Sequence, residues 1–172
     1  MPQFRLPAEW EPQDAVLLTW PHEDSDWAPL LDEVISLYEG LVTVIADYAD
    51  LIIAVPEQEL DAIQSRLEAM NVPMDSVHLR PAPSNDTWAR DHGPLTVLEG
   101  ERPVLLDFQF NGWGGKFAHD LDNGITERLH RDGAFPEVAL ERQDWVLEGG
   151  SIEVDGRGTL LTTEACLLNE NR

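Results

Sequence analysis

Cysteine is almost missing from this sequence: Cys166 is the single one in 172 residues. One thiol forms no internal disulfide and no cysteine-based zinc site, and it suits a reducing compartment. Lysine is equally scarce. Lys116 stands alone, and arginine supplies the rest of the 11 positive charges against 33 acidic residues. The net charge of −22 repels phosphate backbones and anionic lipids, so nucleic acid and membrane surfaces are poor partners. The same field attracts small cations; it serves equally well to keep a protein soluble in a salty cytoplasm. No apolar run is long enough to span a bilayer. The N-terminus lacks a basic stretch followed by an apolar one, so no secretory leader is expected and the cytoplasm is the expected location.

What is present is the composition of a globular protein. Hydrophobic residues make up 42%, enough for a core in one domain or one large lobe. Asp14 to Trp20 and Leu51 to Val55 read as buried strands, and Val77 to Arg80 as a third. Between the first two, Leu30, Leu31, Val34, Ile35, Leu37, Leu41, Val44 and Ile45 recur at helical spacing over 29–48, with Asp26 placed to cap the helix. Pro56 opens a second helix whose buried stripe is Leu60, Ile63, Leu67 and Met70. Alternating strands and helices with short connections predict an α/β (α+β) fold. Pro7 to Pro12 reads as an extended segment. Residues 94–98 and 104–110 predict paired strands about a turn at Glu99-Gly100-Glu101. Residues 120–130 predict a weakly striped helix, and 138–145 a strand. Residues 151–154 and 159–163 predict a hairpin about Asp155-Gly156-Arg157-Gly158, and Thr162-Thr163-Glu164 reads as a strand end and helix cap.

The stretch Asn85-Asp86-Thr87-Trp88-Ala89-Arg90-Asp91-His92-Gly93-Pro94 carries the most chemistry. It combines an indole, two carboxylates and a guanidinium between turn-forming residues, so it is placed on a loop between strands. Leu147-Glu148-Gly149-Gly150-Ser151 adds a third carboxylate. A guanidinium ligand is planar and always charged, and its N–H donors form a fixed fork. A site for one needs carboxylates for the fork and an aromatic face to stack on. Asp86, Asp91 and Glu148 supply the first, and Trp88 the second. Arg90 can hold one acid in place by pairing with it. The plainer reading stays open: a local Asp–Arg ion pair at the surface and a tryptophan in the core. Phe110-Asn111-Gly112-Trp113-Gly114-Gly115-Lys116 packs three glycines around Trp113. Such a segment calls for positive φ or a close backbone approach.

These residues resemble the agmatine deiminase family, related to the Porphyromonas-type peptidylarginine deiminases. The resemblance runs along the whole chain. It rests on Pro7-Ala8-Glu9-Trp10-Glu11-Pro12, Trp20-Pro21, the 85–94 stretch, Phe110 to Lys116, Leu147 to Ile152, and Asp155 through Thr163-Glu164 to Cys166-Leu167-Leu168-Asn169. It implies the pentein fold, a five-bladed ring of ββαβ-type modules of which this chain covers roughly the first half. It implies hydrolysis of a guanidine group without metal or cofactor. A Cys thiolate attacks the guanidinium carbon, a His works as general acid and base, and carboxylates hold the substrate. Carried over by motif, Asp91 and Glu148 are the catalytic carboxylates that pair with the guanidinium. Trp88 lines the substrate pocket and Trp113 borders it. Asp86 and Arg90 support the loop.

The sequence departs from the family pattern in one respect. Neither the Gly-rich turn bearing the nucleophilic Cys nor the Gly-His-x-Asp stretch bearing the catalytic His occurs in residues 1–172. Cys166 matches a family Cys that is not the nucleophile and reads as a small buried apolar residue. His22, His78, His92, His119 and His130 match no catalytic His and read as structural or solvated. Residues 1–172 are thus expected to be the N-terminal portion of a single pentein-fold catalytic domain. An isolated piece of that kind should be poorly stable, because uncovered blade faces expose apolar surface. The resemblance implies agmatine as substrate, converted to N-carbamoylputrescine and ammonia in polyamine metabolism, and it admits a homo-oligomer. Peptidylarginine deimination, guanidine binding without catalysis, and an unrelated acidic α/β domain are the alternatives.

Overall fold

In this computed structural model, which describes residues 4–172, the strands run in the order β1 (Phe4–Arg5), β2 (Ala15–Thr19), β3 (Asp50–Val55), β4 (Val77–Pro81), β5 (Leu95–Glu99), β6 (Arg102–Gln109), β7 (Ala139–Val146), β8 (Ile152–Val154) and β9 (Leu160–Thr162). The chain divides into two compact units, residues 13–89 and residues 90–172 with the segment before Gln13.

The 13–89 unit is a parallel three-stranded sheet in the order β2-β3-β4. Leu51 to Val55 is an unbroken apolar run because β3 is the central strand and is buried on both faces; Leu51, Ile53, Ala54 and Val55 have no exposed surface. Helices α1 (Leu31–Ile45) and α2 (Leu60–Ala69) supply the two crossovers. α1 buries Val34 and Val42, and α2 buries Ile63 and Leu67. Trp20, Val42, Leu51, Ile53, Val55, Ile63, Leu67 and Val77 form one core. Trp20 meets Tyr38 edge-on, with ring centroids 5.9 Å apart.

Asp26 does not cap α1. A 3-10 turn at Ala28–Leu30 precedes the helix, and neither Trp27 nor Leu30 at its start makes a side-chain cap. Pro29 fixes the turn instead, as proline does at a first helical position. A 3-10 turn at Glu57–Glu59 likewise leads from Pro56 into α2.

In the other unit the sheet order is β1-β5-β6-β7. β5 and β6 form the expected antiparallel hairpin, turned at Gly100 with φ +66°. β7 joins β6 in parallel, so the connection must cross over. It does so through the helix Ile125–Arg131, entered by a 3-10 turn at Asp122–Gly124 and buried through Ile125, Thr126 and Leu129. β8 and β9 form the predicted hairpin. Thr163 accepts from the Cys166 N–H and caps a single turn at Glu164–Leu167.

Pro7 to Pro12 is a turn rather than an extended segment. The Glu11 N–H donates to the Ala8 carbonyl at 3.0 Å, and Glu11 Oε1 accepts from the Ala8 N–H at 2.8 Å. Gly156, at φ +70°, lies so close that a Cβ there would stand 2.9 Å from the Ala8 nitrogen. Two stretches far apart in sequence are therefore one packed corner. Among the described residues no helix is long and apolar enough to cross a membrane.

Candidate functional site

The 85–94 stretch divides at Ala89–Arg90, with each half belonging to a different unit. In the first half Asp86 is buried. It accepts from the Thr87 N–H at 2.8 Å and from the Trp88 indole N–H at 3.0 Å. The loop is thus held by its own carboxylate, as expected of a supporting Asp86. Burial pushes the Asp86 carboxyl above its usual range. Trp88 is 41% exposed, and its ring lies 5.9 Å from that of Trp27. Trp27 in turn donates to Thr87 Oγ1 at 2.7 Å. Trp88 is therefore not a core residue; it is a surface indole with its polar edge tied down.

The second half meets the Glu148-Gly149-Gly150 turn. The Gly150 N–H donates to Asp91 Oδ1 at 3.1 Å, and Arg90 Nε donates to the Gly149 carbonyl at 3.2 Å. The glycines are required by this approach. A Cβ on Gly149 would stand 2.4 Å from the Arg90 carbonyl oxygen, and one on Gly150 would stand 2.2 Å from Asp91 Oδ1. No side chain fits there without moving backbone or carboxylate.

Arg90 does not pair with Asp91 or Glu148. Its charge is met by Glu9, and at 3.8 Å by Glu153, while its Nε holds the Gly149 carbonyl. It thus supports the site through the backbone of the glycine turn.

Glu148 stands where β7 gives way to a 3-10 turn at Gly149–Ser151. It is only 3% exposed. Burial pushes its carboxyl up, Asp91 pushes in the same direction, and Arg172 and Lys116 pull it back. The Arg172 Nε lies 3.1 Å from Glu148 Oε1. Sequence reasoning passed over Arg172. Its one signal was an arginine among so many acids, and spacing alone could not show which acid it meets.

Trp113 sits half-buried in a turn of unusual hand. Gly112, Trp113, Gly114 and Gly115 all have positive φ, Trp113 at +58°. Asn111 Oδ1 accepts from the Gly114 N–H at 2.8 Å and closes the turn. Trp113 packs edge-on between Phe110 and Phe117, at 5.0 and 5.7 Å.

Cys166 is half-exposed rather than buried, because its one-turn helix buries no residue. His92 is buried against the edge of Phe110, and burial lowers its pKa to about 4. It is neutral at pH 7. His22 is also buried, 3.0 Å from Ser84 Oγ. His78 faces Asp50, and His119 and His130 each meet a backbone carbonyl.

The chain also compares closely with known proteins. Residues 5–172 match the family model described as Porphyromonas-type peptidyl-arginine deiminase. An agmatine deiminase of Pseudomonas savastanoi pv. phaseolicola is 34% identical over 178 residues, covering 98% of this chain and 46% of that protein. A solved C. jejuni agmatine deiminase with substrate bound superposes with a TM-score of 0.86 at 36% identity, covering 99% of this chain and 48% of that one. The Enterococcus faecalis agmatine deiminase gives a TM-score of 0.84 at 32% identity, covering 98% and 46%. The chain spans about half the length of the relatives it matches, and its mixed α/β architecture is part of their pentein fold. With the family model matching nearly its whole length, the chain belongs to the Porphyromonas-type peptidyl-arginine deiminase family, which includes the agmatine deiminases.

Proposed function

We propose that residues 1–172 are the guanidinium-binding, N-terminal portion of a single catalytic domain. That domain would convert agmatine to N-carbamoylputrescine and ammonia in the cytoplasm. The observation that supports this is the meeting of Asp91 with the glycine turn that follows Glu148. Two carboxylates far apart in sequence come into one neighbourhood, close enough for the charge of one to act on the other. Two carboxylates can take up the N–H fork of a guanidinium and leave its carbon open to attack from the face. In the proposed reaction a Cys thiolate outside this chain forms a C–S bond to that carbon. Ammonia leaves with a proton from a His, and water then cleaves the amidino-thioether. Asp91 and Glu148 stabilise the positive charge throughout. Trp113 would border the substrate, and the exposed ring face of Trp88 would be available to its cation.

The test is ammonia release from agmatine by the whole protein. Asp91→Asn keeps an acceptor for the Gly150 N–H, and Glu148→Gln keeps its size. Each should lower kcat/KM by roughly a hundredfold or more, the usual loss when one transition-state-stabilising group is removed. Unchanged rates in both variants would overturn the assignment. A benzoyl-arginine peptide assayed in parallel separates agmatine from peptidylarginine. A second reading rests on the lack of both the Gly-rich Cys turn and the Gly-His-x-Asp stretch in residues 1–172. On that reading the 172-residue chain binds agmatine without hydrolysing it, and calorimetry would show micromolar binding without ammonia release.

A further inference from the structure

Glu148 is the most buried member of the candidate site, and a buried carboxylate is costly unless a positive partner accompanies it. Three charged groups act on it: Arg172, Asp91 and Lys116. Asp91 is a like charge. Lys116 is exposed and exerts the weakest pull of the three. Arg172 is different. Its side chain is 14% exposed, and its Nε lies 3.1 Å from Oε1. Neither atom makes a directed hydrogen bond. The contact is therefore a close charge pair that does not use up the acceptor capacity of Oε1.

Arg172 is also held in place. The Asn111 side chain donates to the Asn171 carbonyl at 2.6 Å while its oxygen closes the left-handed turn at Gly112–Gly115. Gly114 lies against Asn171, where a Cβ would come within 3.3 Å of its side chain. The Asn171 N–H bonds Asn169 Oδ1 at 3.0 Å, and the Arg172 N–H bonds the Asn169 carbonyl at 3.1 Å. The glycine-rich segment 111–115 thus clasps the backbone that carries Arg172.

We infer that Arg172 is the positioning residue that keeps Glu148 ionised and aimed for a guanidinium ligand, and that Asn111 anchors it. The role rests on the proposed function of Glu148 and adds a residue to it. An arginine suits the task because it stays charged at every working pH. It also explains why a turn of four left-handed residues is retained at this point. At Trp113, the one residue of the turn with a Cβ, such a conformation persists where surrounding contacts over-determine it.

The test has two arms. In the whole protein, kcat/KM for agmatine is followed against pH for wild type, Arg172→Gln, Arg172→Lys and Asn111→Asp. Arg172→Gln should move the acidic limb up by about one pH unit, the lower end of what an opposite charge at this distance contributes. Lysine should restore most of it. Asn111→Asp keeps the acceptor for Gly114, loses the donor to Asn171, and should shift the limb in the same direction. A profile that falls uniformly with its limb unmoved would make Arg172 merely structural and overturn the proposal. A lower KM in Arg172→Gln would also overturn it, since Arg172 would then compete with substrate for Glu148.

The second arm uses the same whole-protein variants. A carbon-13 titration of the Glu148 carboxyl should show a higher pKa in Arg172→Gln than in wild type. An unchanged titration overturns the pairing whatever the enzyme does. A whole protein that releases no ammonia from agmatine, with the titration shifted as expected, would refute the functional reading while leaving the pairing in place.

Discussion

Gly150 and Asp91 are joined by a hydrogen bond from the glycine N–H to Oδ1 at 3.1 Å, and the contact is so close that the glycine Cα leaves no room for a methyl group. A Cβ would overlap the carboxylate it serves, at 2.2 Å. Gly150→Ala should therefore expel Asp91 from its present place. Overpacking of this kind costs about 1–3 kcal/mol. On the role proposed for Asp91, a displacement near 1 Å costs on the order of a hundredfold in rate. Gly133→Ala is the control: φ is +75° there, but nothing stands within 4 Å. It should lose about 1 kcal/mol of stability from backbone strain alone and no activity. Urea unfolding of both variants, with agmatine turnover in the whole protein, measures the difference.

His92 makes a prediction about pH. Its pKa in the folded chain is about 4, against an ordinary 6.5, because burial opposes the charged ring. As pH falls below 6.5 the unfolded chain takes up the proton first, and the folded state loses stability until pH passes about 4. The span corresponds to about 3 kcal/mol at 1.36 kcal/mol per unit. Many carboxylates titrate in the same window, so the comparison must be differential. Between pH 7 and pH 4.5 wild type should lose stability that His92→Phe retains. Equal pH dependence in the two chains would show that His92 protonates freely in place.

Much of the fold was legible in the sequence where one rule acted alone. Leu51 to Val55 is apolar on both faces because β3 is central, and the two apolar runs about the Glu99-Gly100-Glu101 turn fold as the hairpin of β5 and β6. Asp26 misled because a proline-initiated 3-10 turn solved the helix start without a cap. Pro7 to Pro12 misled because prolines suggest extension, whereas Glu11 folds back onto Ala8. In the candidate site, Asp91, Glu148 and the two glycines were legible as motifs. Their convergence was legible only through the family resemblance, since local pattern says nothing about which loop ends meet. Arg172 was illegible for the same reason. Arg90 pairs with an acid as expected, but the acid is Glu9 rather than one of the three candidate ligands, and its Nε holds the Gly149 carbonyl.

Trp88 and Asp86 form a second testable pair. Trp88→Phe keeps the ring face but removes the indole N–H that Asp86 accepts at 3.0 Å. Loss of a hydrogen bond to a buried charged group costs about 1–3 kcal/mol. Burial already raises the Asp86 carboxyl above its ordinary range. A folded pKa above the unfolded one means that stability is gained as pH falls through the folded pKa, because the neutral acid is easier to bury. The defect in Trp88→Phe should therefore be larger at pH 7 than near pH 4. Urea midpoints at the two pH values read it directly, and a defect independent of pH would assign the loss to packing against Trp27 rather than to the carboxylate.

Trp113 allows an inversion of the usual propensity order. Its φ of +58° lies in the left-handed region, which costs a residue with a Cβ roughly 1–2 kcal/mol and glycine almost nothing. Replacing the indole by either alanine or glycine removes the same edge-on contacts with Phe110 and Phe117. The two variants then differ only in backbone preference, so Trp113→Gly should be the more stable by about 1 kcal/mol. In an ordinary right-handed turn the order would be reversed. If the left-handed turn also clasps the backbone leading to Arg172, and Trp113 borders the substrate as proposed, Trp113→Gly should preserve the Glu148 carboxyl titration while weakening agmatine binding, because the turn survives and only the ring is lost. A glycine variant that is less stable than the alanine one would show that the turn is held by the ring and not by its backbone.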